Sequence, residues 1–338
     1  MKAAPVVSAL RSLGKQPVLV HTGQHYDREM SEIFFEELRL PEPDHNLGVG
    51  SGSHATQTAA LLLALERLFL DLGPRRVTVY GDINSTLAAA VTASKLLIPV
   101  SHVEAGLRSF DRTMPEEINR VVTDSIADMH FATSPEALAH LAREGIPGSS
   151  MHFVGNPMID TLLRFRDRLT DRPRQELGLG TRYGVVTLHR PSNVDDDESV
   201  GMIIEGLRRA SKHLDLVVPI HPRGRDRLLA GGLGSIAAVV EPLGYLDFMS
   251  LVAGATVVLT DSGGIQEETT VLGIPCLTLR QNTERPITVT MGTNKLVGTD
   301  PDLIEEGVVA AEPGVAQVPP LWDGLAGERI AEVLCSTS

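Results

Sequence analysis

Three carboxylates in the first half of the chain can converge near one crevice, two of them just past strand-like runs. Asp82 follows Arg76–Tyr80 and Gly81, Glu104 follows Pro99–Val103, and Glu116 lies in Met114-Pro115-Glu116-Glu117. Taken singly, each has an ordinary explanation. An Asp after a strand commonly caps the next helix, and Glu116 and Glu117 would suit a helix N-terminus. Three carboxylates at strand ends of one domain point instead to proton-transfer chemistry. The second half places cations and glycines in the same position. His189-Arg190 ends one apolar run, His221-Pro222-Arg223 a second, and Asp261-Ser262-Gly263-Gly264 a third; Arg280 follows the run at Cys276, with Arg285 close behind. A glycine turn at Ser262-Gly263-Gly264 would let backbone N–H groups approach an anion, with the positive end of the following helix aimed at it. Beside two histidines and several arginines this reads as a diphosphate cradle. Glu268, one turn into that helix, suits ribose hydroxyls, or is a surface charge.

The elements that must hold these residues alternate along the whole chain. Expected strands are Gln16–His21, Arg76–Tyr80, Pro99–Val103, Met129–Thr133, Ser150–Val154, Tyr183–Thr187, Leu216–Ile220, Ala237–Val240, Thr256–Thr260 and Cys276–Leu279. Many are continuously apolar, as strands buried on both faces are. Amphipathic stretches lie between them, including Ser53–Leu70, Ser85–Leu97 and Ser134–Arg143, the last with Ser134 as N-cap and Pro135 at the first helical position. This is the βαβ rhythm of parallel sheets with helices on both faces, in which ligands bind beyond the carboxyl ends of the strands. The rhythm pauses between Ile159 and Arg182, where Arg164–Arg174 reads as a solvated helix face and linker. The expected domains are residues 1–157, carrying the carboxylates, and 158–323, which would bind a nucleotide with its reactive end toward the first.

Size and composition agree. The chain has 338 residues, 42% hydrophobic and 22% charged, enough for two globular domains. Aromatics are 4%, so the cores must be built from Ala, Val, Leu and Ile. A net charge of −13 argues against nucleic acid as a partner, which would want a basic stripe, though not against a small anion in a locally positive pocket. The two cysteines, Cys276 and Cys335, have no metal-type spacing and imply no disulfide framework, which fits a reducing cytoplasm. No apolar run is long enough to span a bilayer, and the start lacks the apolar core of a secretion signal.

Several motifs occur together and in order: Gly23-Gln24-His25-Tyr26-Asp27, Tyr80-Gly81-Asp82, His102-Val103-Glu104-Ala105-Gly106-Leu107-Arg108, and Pro115-Glu116-Glu117-Ile118-Asn119-Arg120. Gly155-Asn156-Pro157-Met158-Ile159-Asp160, Thr187-Leu188-His189-Arg190, Asp261 through Glu268, and Glu284-Arg285-Pro286 continue the series. The chain resembles, over nearly its whole length, the bacterial non-hydrolysing UDP-N-acetylglucosamine 2-epimerases. The resemblance implies two Rossmann-like domains in the glycosyltransferase-B arrangement, with the active site in the interdomain cleft and a hinge near Gly155–Asp160. It implies a final helix from about Gly324 that returns to the first domain, and a homodimer. It also implies reversible interconversion of UDP-GlcNAc and UDP-ManNAc for cell-surface polysaccharide synthesis, through UDP and 2-acetamidoglucal, without a cofactor or metal.

Residue by residue, Asp82, Glu104 and Glu116 match the family's catalytic carboxylates and His189 its active-site histidine. Lys2 falls on its lysine. Ser262, Gly263, Gly264 and Glu268 match the UDP-binding stretch, with His221, Arg280 and Arg285 expected beside it. Phe248 is either a uracil contact or core packing. Two departures stand out. The strand and Gly-Thr-Arg-Pro-Glu segment that precede the family's lysine have no counterpart before Met1, so the start is expected to be misassigned and the chain as written to be weak or inactive. The family's activator-binding Gln-His-X-Gln has Asp27 at its last position, and its Arg-Gln pair is replaced within Ser51-Gly52-Ser53, so activation by UDP-GlcNAc is expected to be weak or absent. A hydrolysing relative that releases ManNAc, and an idle nucleotide-sugar binder, are the competing expectations.

Overall fold

The computed structural model describes residues 1–23, 37, 42–312, 314 and 318–336. The Gln24-His25-Tyr26-Asp27 motif lies outside them. The chain divides into two compact units, Met1–Leu163 with Pro320–Ser338, and Arg164–Pro319.

The first unit contains α1 (Ala3–Ser12), β1 (Val20–His21), β2 (His45–Asn46), α2 (His54–Leu72) and β3 (Val77–Tyr80). It continues with α3 (Asn84–Lys95), β4 (Val100–Ala105), α4 (Pro115–Ile126), β5 (Met129–Ala132), α5 (Pro135–Arg143), β6 (Met151–Phe153) and α6 (Pro157–Phe165), the helix in which the second unit begins at Arg164. Strands β3-β4-β5-β6 form a parallel sheet in that order, and β1 pairs with β2 in a separate parallel ribbon. Every residue of β4 and β5 is buried, the polar Ser101, His102, Glu104 and His130 included, so these strands are covered on both faces. Leu61, Leu65, Ala88, Ala90, Ala93 and Val100 build one core, and Val6, Val103, Phe131, Val154 and Ile330 another. Ser134 caps α5 by accepting from the Ala137 N–H, and Pro135 opens the helix. The His45–Asn46 strand carried no apolar run, and its two residues leave no period for a sequence to show.

The second unit contains β7 (Tyr183–Thr187), α7 (Asp197–Ala210), β8 (Asp215–Pro219), β9 (Ala238–Val240), α8 (Tyr245–Gly254) and β10 (Val257–Thr260). It continues with α9 (Gly263–Leu272), β11 (Cys276–Thr278), β12 (Asn294–Leu296) and α10 (Pro301–Val309). Its six strands are all parallel, in the order β12-β11-β10-β7-β8-β9. The order reverses between β7 and β10, the switch-point topology of a nucleotide-binding sheet. Val186, Leu216, Leu259, Leu277 and Ile304 anchor one large aliphatic core. Strand β12 falls in a polar stretch, Asn294-Lys295-Leu296, and is an edge strand that periodicity alone does not reveal. Two Rossmann-type α/β units in one chain are the components of the glycosyltransferase-B architecture.

The C-terminal segment is built into the first unit. Trp322 is buried and donates to the Thr133 carbonyl at 2.8 Å. The last helix, α11 (Ala326–Ser336), takes its N-terminal cap from another helix: Asp160 of α6 accepts from the N–H groups of Ala326 and Gly327 at 3.1 and 2.7 Å. Burial raises the Asp160 pKa despite those two hydrogen bonds. At Gly155, with φ +87°, a Cβ would stand 2.0 Å from the Leu321 carbonyl oxygen, so only glycine fits where the returning segment crosses.

Candidate active site

In the first unit the candidate residues gather around the end of β3. The turn is tied down at each peptide. The Gly81 N–H donates to the Val103 carbonyl at 3.0 Å, and the Gly81 carbonyl accepts from His102 Nε2 at 2.8 Å. The Asp82 carbonyl accepts from Asn119 Nδ2 at 2.9 Å, and Asn119 is braced in turn by Asn84 at 3.2 Å. The N-cap position of α3 belongs to Ile83, so Asp82 is not spent on capping. Its carboxylate instead accepts from Arg120 Nη1. Gly81 has φ +67°, and a Cβ there would meet Glu104 Oε2 at 3.2 Å and Lys2 Nζ at 3.3 Å. The missing side chain is the space in which the Glu104 carboxylate and the Lys2 ammonium pair.

Glu104 is buried and has φ +74°, in a sector few non-glycine residues enter. The pairing of β4 with β5 shifts register between Val103 and Ala105, around this residue. Backbone strain of this kind costs on the order of 1–3 kcal/mol and persists where the surroundings over-determine it. Here the strand turns the Glu104 side chain toward Gly81 and Lys2.

The two consecutive glutamates of α4 have separate fates. Glu117 is buried and structural: it accepts from the N–H groups of Ser109 and Phe110 at 3.0 and 2.9 Å and pairs with Arg120 at 2.9 Å. Burial alone would raise its pKa, but the Ser109 and Phe110 N–H groups and Arg120 hold it below the ordinary carboxylate range. Glu116 stays half-buried in the first turn of the same helix. Arg120 links Glu117 to Asp82, a connection that reading the motif residue by residue misses.

In the second unit the candidate residues His189, Ser262, Gly263 and Gly264 lie at or just beyond the switch point between β7 and β10. Thr187 and Thr260 are register partners whose hydroxyls stand 2.6 Å apart. Beyond them Asp261, fully buried, accepts from the N–H groups of His189 and Arg190 at 3.0 and 2.9 Å, and lies 3.0 Å from His189 Nδ1. Burial would raise the Asp261 pKa, yet His189 and the two backbone N–H groups lower it, so the group is ionised. The His189 ring stands 5.8 Å, centroid to centroid, from that of His221, which is exposed beyond β8. Asp261 was legible as part of a motif but not as the partner of a histidine 72 residues away, because that pairing depends on β7 lying beside β10.

Ser262 occupies the N-cap position of α9, and Gly263 and Gly264 are its first two helical residues rather than a turn before it. Gly263 has a packing reason: a Cβ there would lie 2.2 Å from Arg285 Nη1. Arg285 is held in place by Glu267 at 3.0 Å and Glu284 at 3.5 Å. Arg280 pairs with Glu284 at 2.7 Å. The two arginines therefore bring compensating carboxylates with them, and the local positive charge is smaller than a count of arginines suggests. Glu268 is buried, not a surface charge, and accepts from the Tyr245 hydroxyl at 3.0 Å. Phe248 is half-buried in the first turn of α8. The substitution Gly263→Ala is expected to destabilise the protein by roughly 1–3 kcal/mol, because Arg285 cannot yield without leaving Glu267 and Glu284 short of a partner. A thermal melt reads the loss, and an unchanged melting temperature would contradict it.

Residues 9–335 match the family profile described as UDP-N-acetylglucosamine 2-epimerase. A protein named UDP-N-acetylglucosamine 2-epimerase from Methanocaldococcus jannaschii is 41% identical, over 99% of this chain and 95% of its own. The UDP-2,3-diacetamido-2,3-dideoxy-D-glucuronate 2-epimerase of Pseudomonas aeruginosa is 43% identical, over 86% of this chain and 82% of its own. Among solved structures, that of the Methanocaldococcus jannaschii UDP-GlcNAc 2-epimerase in complex with UDP-GlcNAc and UDP has a TM-score of 0.92 at 40% identity, covering 99% of this chain and 96% of that one.

Proposed function

The chain belongs to the UDP-N-acetylglucosamine 2-epimerase family, and from that premise we propose that it interconverts UDP-GlcNAc and UDP-ManNAc by elimination and re-addition of UDP. A carboxylate removes the C2 proton as the C1–O bond to UDP breaks, leaving 2-acetamidoglucal. UDP then adds back to C1 while a proton arrives on the opposite face of C2. The C2 proton is not acidic, so it needs a placed base and a departing group, and two faces need two proton-handling groups or one and a relay. The observation that carries this reading is that Glu104 faces Gly81 beside Lys2 while Asp82, next in the chain, pairs with Arg120, so that each carboxylate stands against a cation. With Glu116 on the neighbouring helix end, they form the proton-handling set.

The second unit serves the leaving group. His189, oriented by Asp261, stabilises the departing diphosphate, with His221, Arg280 and Arg285 in support. The start of α9 at Ser262-Gly263-Gly264 offers backbone N–H groups to a phosphate. Glu268 takes the ribose hydroxyls and Phe248 packs on the uracil. Lys2, paired with Glu104, belongs to the proton-handling side. No redox cofactor takes part in this chemistry. No helix among the described residues is long and apolar enough to cross a membrane, and the two free cysteines fit a cytoplasmic enzyme. A homodimer working in cell-surface polysaccharide synthesis completes the proposal.

The test is proton NMR of UDP-GlcNAc incubated with the protein in heavy water. UDP-ManNAc should accumulate and the C2 proton signal should vanish from both sugars. Free ManNAc in place of UDP-ManNAc would mark a hydrolysing enzyme, and retention of the C2 proton would sink the reading. Because the Pseudomonas relative is named for a diacetamido-glucuronate, the same incubation with that UDP-sugar belongs beside it. Inversion of that sugar alone would move the substrate and leave the C2 chemistry standing.

A further inference from the structure

Beside the candidate carboxylates lies a buried histidine that the reaction itself does not use. His102 sits on β4, two residues before Glu104, with its side chain fully buried. Both ring nitrogens face oxygen acceptors. Nδ1 is 2.6 Å from the Asp124 carboxylate on α4, and Nε2 is 2.8 Å from the Gly81 carbonyl. A neutral imidazole has one donor and one acceptor nitrogen, so it can satisfy only one of these oxygens; two acceptors require the imidazolium. The carbonyl at Gly81 cannot donate, and Asp124 is kept ionised by further partners. Its second oxygen accepts from the Gly106 N–H at 3.0 Å and pairs with Arg108 at 2.7 Å.

We infer that His102 is a positioning residue held doubly protonated, which clamps the Gly81–Asp82 turn to α4 and so sets Asp82 and Glu104 for proton transfer. The inference rests on the proposed epimerisation. Through one ring, three elements are fixed: the end of β3, strand β4, and the helix that carries Glu116, Glu117 and Arg120. Gly81 is the residue whose position decides whether Glu104 and Lys2 can meet. A slip of about 1 Å in such a turn costs on the order of 10²-fold in rate.

Other charges face the ring from every side. Glu104 and, through it, Lys2 lie along β4; Asp124 lies on α4, and Arg108 with its partner Glu144 lies behind Asp124. Tyr80 on β3 is half-buried, with its pKa raised by desolvation, and His130, the register partner on β5, donates to the Asp124 carbonyl at 2.8 Å. Burial by itself would lower the His102 pKa, but Asp124, the Gly81 carbonyl and Glu104 together raise it. The sign is therefore that of a protonated clamp, fully formed below the ordinary histidine value of 6.5 and released only as pH climbs through the raised one.

Two measurements decide it. Side-chain nitrogen NMR of the intact wild-type protein should show both His102 nitrogens protonated at pH 8. A neutral ring there overturns the inference, whatever the protein catalyses. Independently, His102→Gln should lower kcat about 10- to 100-fold with KM and UDP affinity nearly unchanged. Asp124→Asn, which keeps the shape but removes the charge, should give a kcat that falls with rising pH where the wild type is flat. Wild-type kcat in a folded His102→Gln protein, or an Asp124→Asn profile matching wild type, would overturn the positioning role. A wild-type protein that shows both nitrogens protonated but no inversion at C2 refutes the epimerase reading instead.

Discussion

The substitution Glu104→Gln is expected to lower kcat for C2 inversion by about 10²–10⁴-fold, the range that a placed general acid or base contributes. Glutamine keeps the length and the hydrogen bond to Lys2 but has no useful basicity. Much of the local structure is committed to this one side chain. It stands on a buried strand, takes a left-handed φ at a register shift, faces a glycine whose missing Cβ makes its room, and meets a lysine from the start of α1. None of that is needed for a glutamate that merely packs. UDP affinity should survive, since the groups proposed to hold UDP lie in the other unit. Deuterium entry at C2 should fall by the same factor as inversion. A variant whose kcat stays within about threefold of wild type would remove Glu104 from the proton-handling set.

How much of this was legible in the sequence depends on the range of the contact. Asp82, Glu104, His189 and Ser262 could be singled out as candidates because each follows a strand-like run, and a parallel sheet delivers such residues to one edge. The edge strand at Asn294–Leu296, and His45–Asn46, the partner of the expected strand that ends at Val20–His21, were hidden, since neither has room for a period. The distinction between Glu116 and Glu117 was not readable either. It is made by the loop at Ser109–Phe110, whose N–H groups fold back onto one glutamate and not its neighbour. Arg280 and Arg285 read as free cations because their neutralising partners, Glu284 and Glu267, are ordinary charges until the chain brings them face to face. Positive φ at Glu104 leaves no mark in composition at all. It follows from the bulge, which is a property of the pairing of two strands.

The substitution Asp261→Asn is expected to lower kcat by about 10²–10⁴-fold, through His189 rather than by touching substrate. The ionised Asp261 carboxylate faces only donors: two backbone N–H groups, Asn193 Nδ2 at 3.3 Å, and His189 Nδ1. An acceptor at Nδ1 fixes the proton there and leaves Nε2 as the nitrogen free to act. Asparagine cannot accept at every position. If its oxygen serves the backbone N–H groups, its amide N–H₂ faces His189 and drives the proton to Nε2; the reverse flip sets donor against donor. A carboxylate-to-amide change behind a catalytic histidine in a hydrolytic triad costs roughly 10⁴-fold for the same reason. Loss of one buried acceptor also destabilises, by about 1–3 kcal/mol, so rate and melting temperature must be read together. The discriminating measurement is the double variant. If Asp261 works by orienting His189, then in the absence of the histidine its exchange should add little: His189→Ala with Asp261→Asn should be about as slow as His189→Ala alone. Two losses that multiply would show that Asp261 acts on the reaction independently of His189.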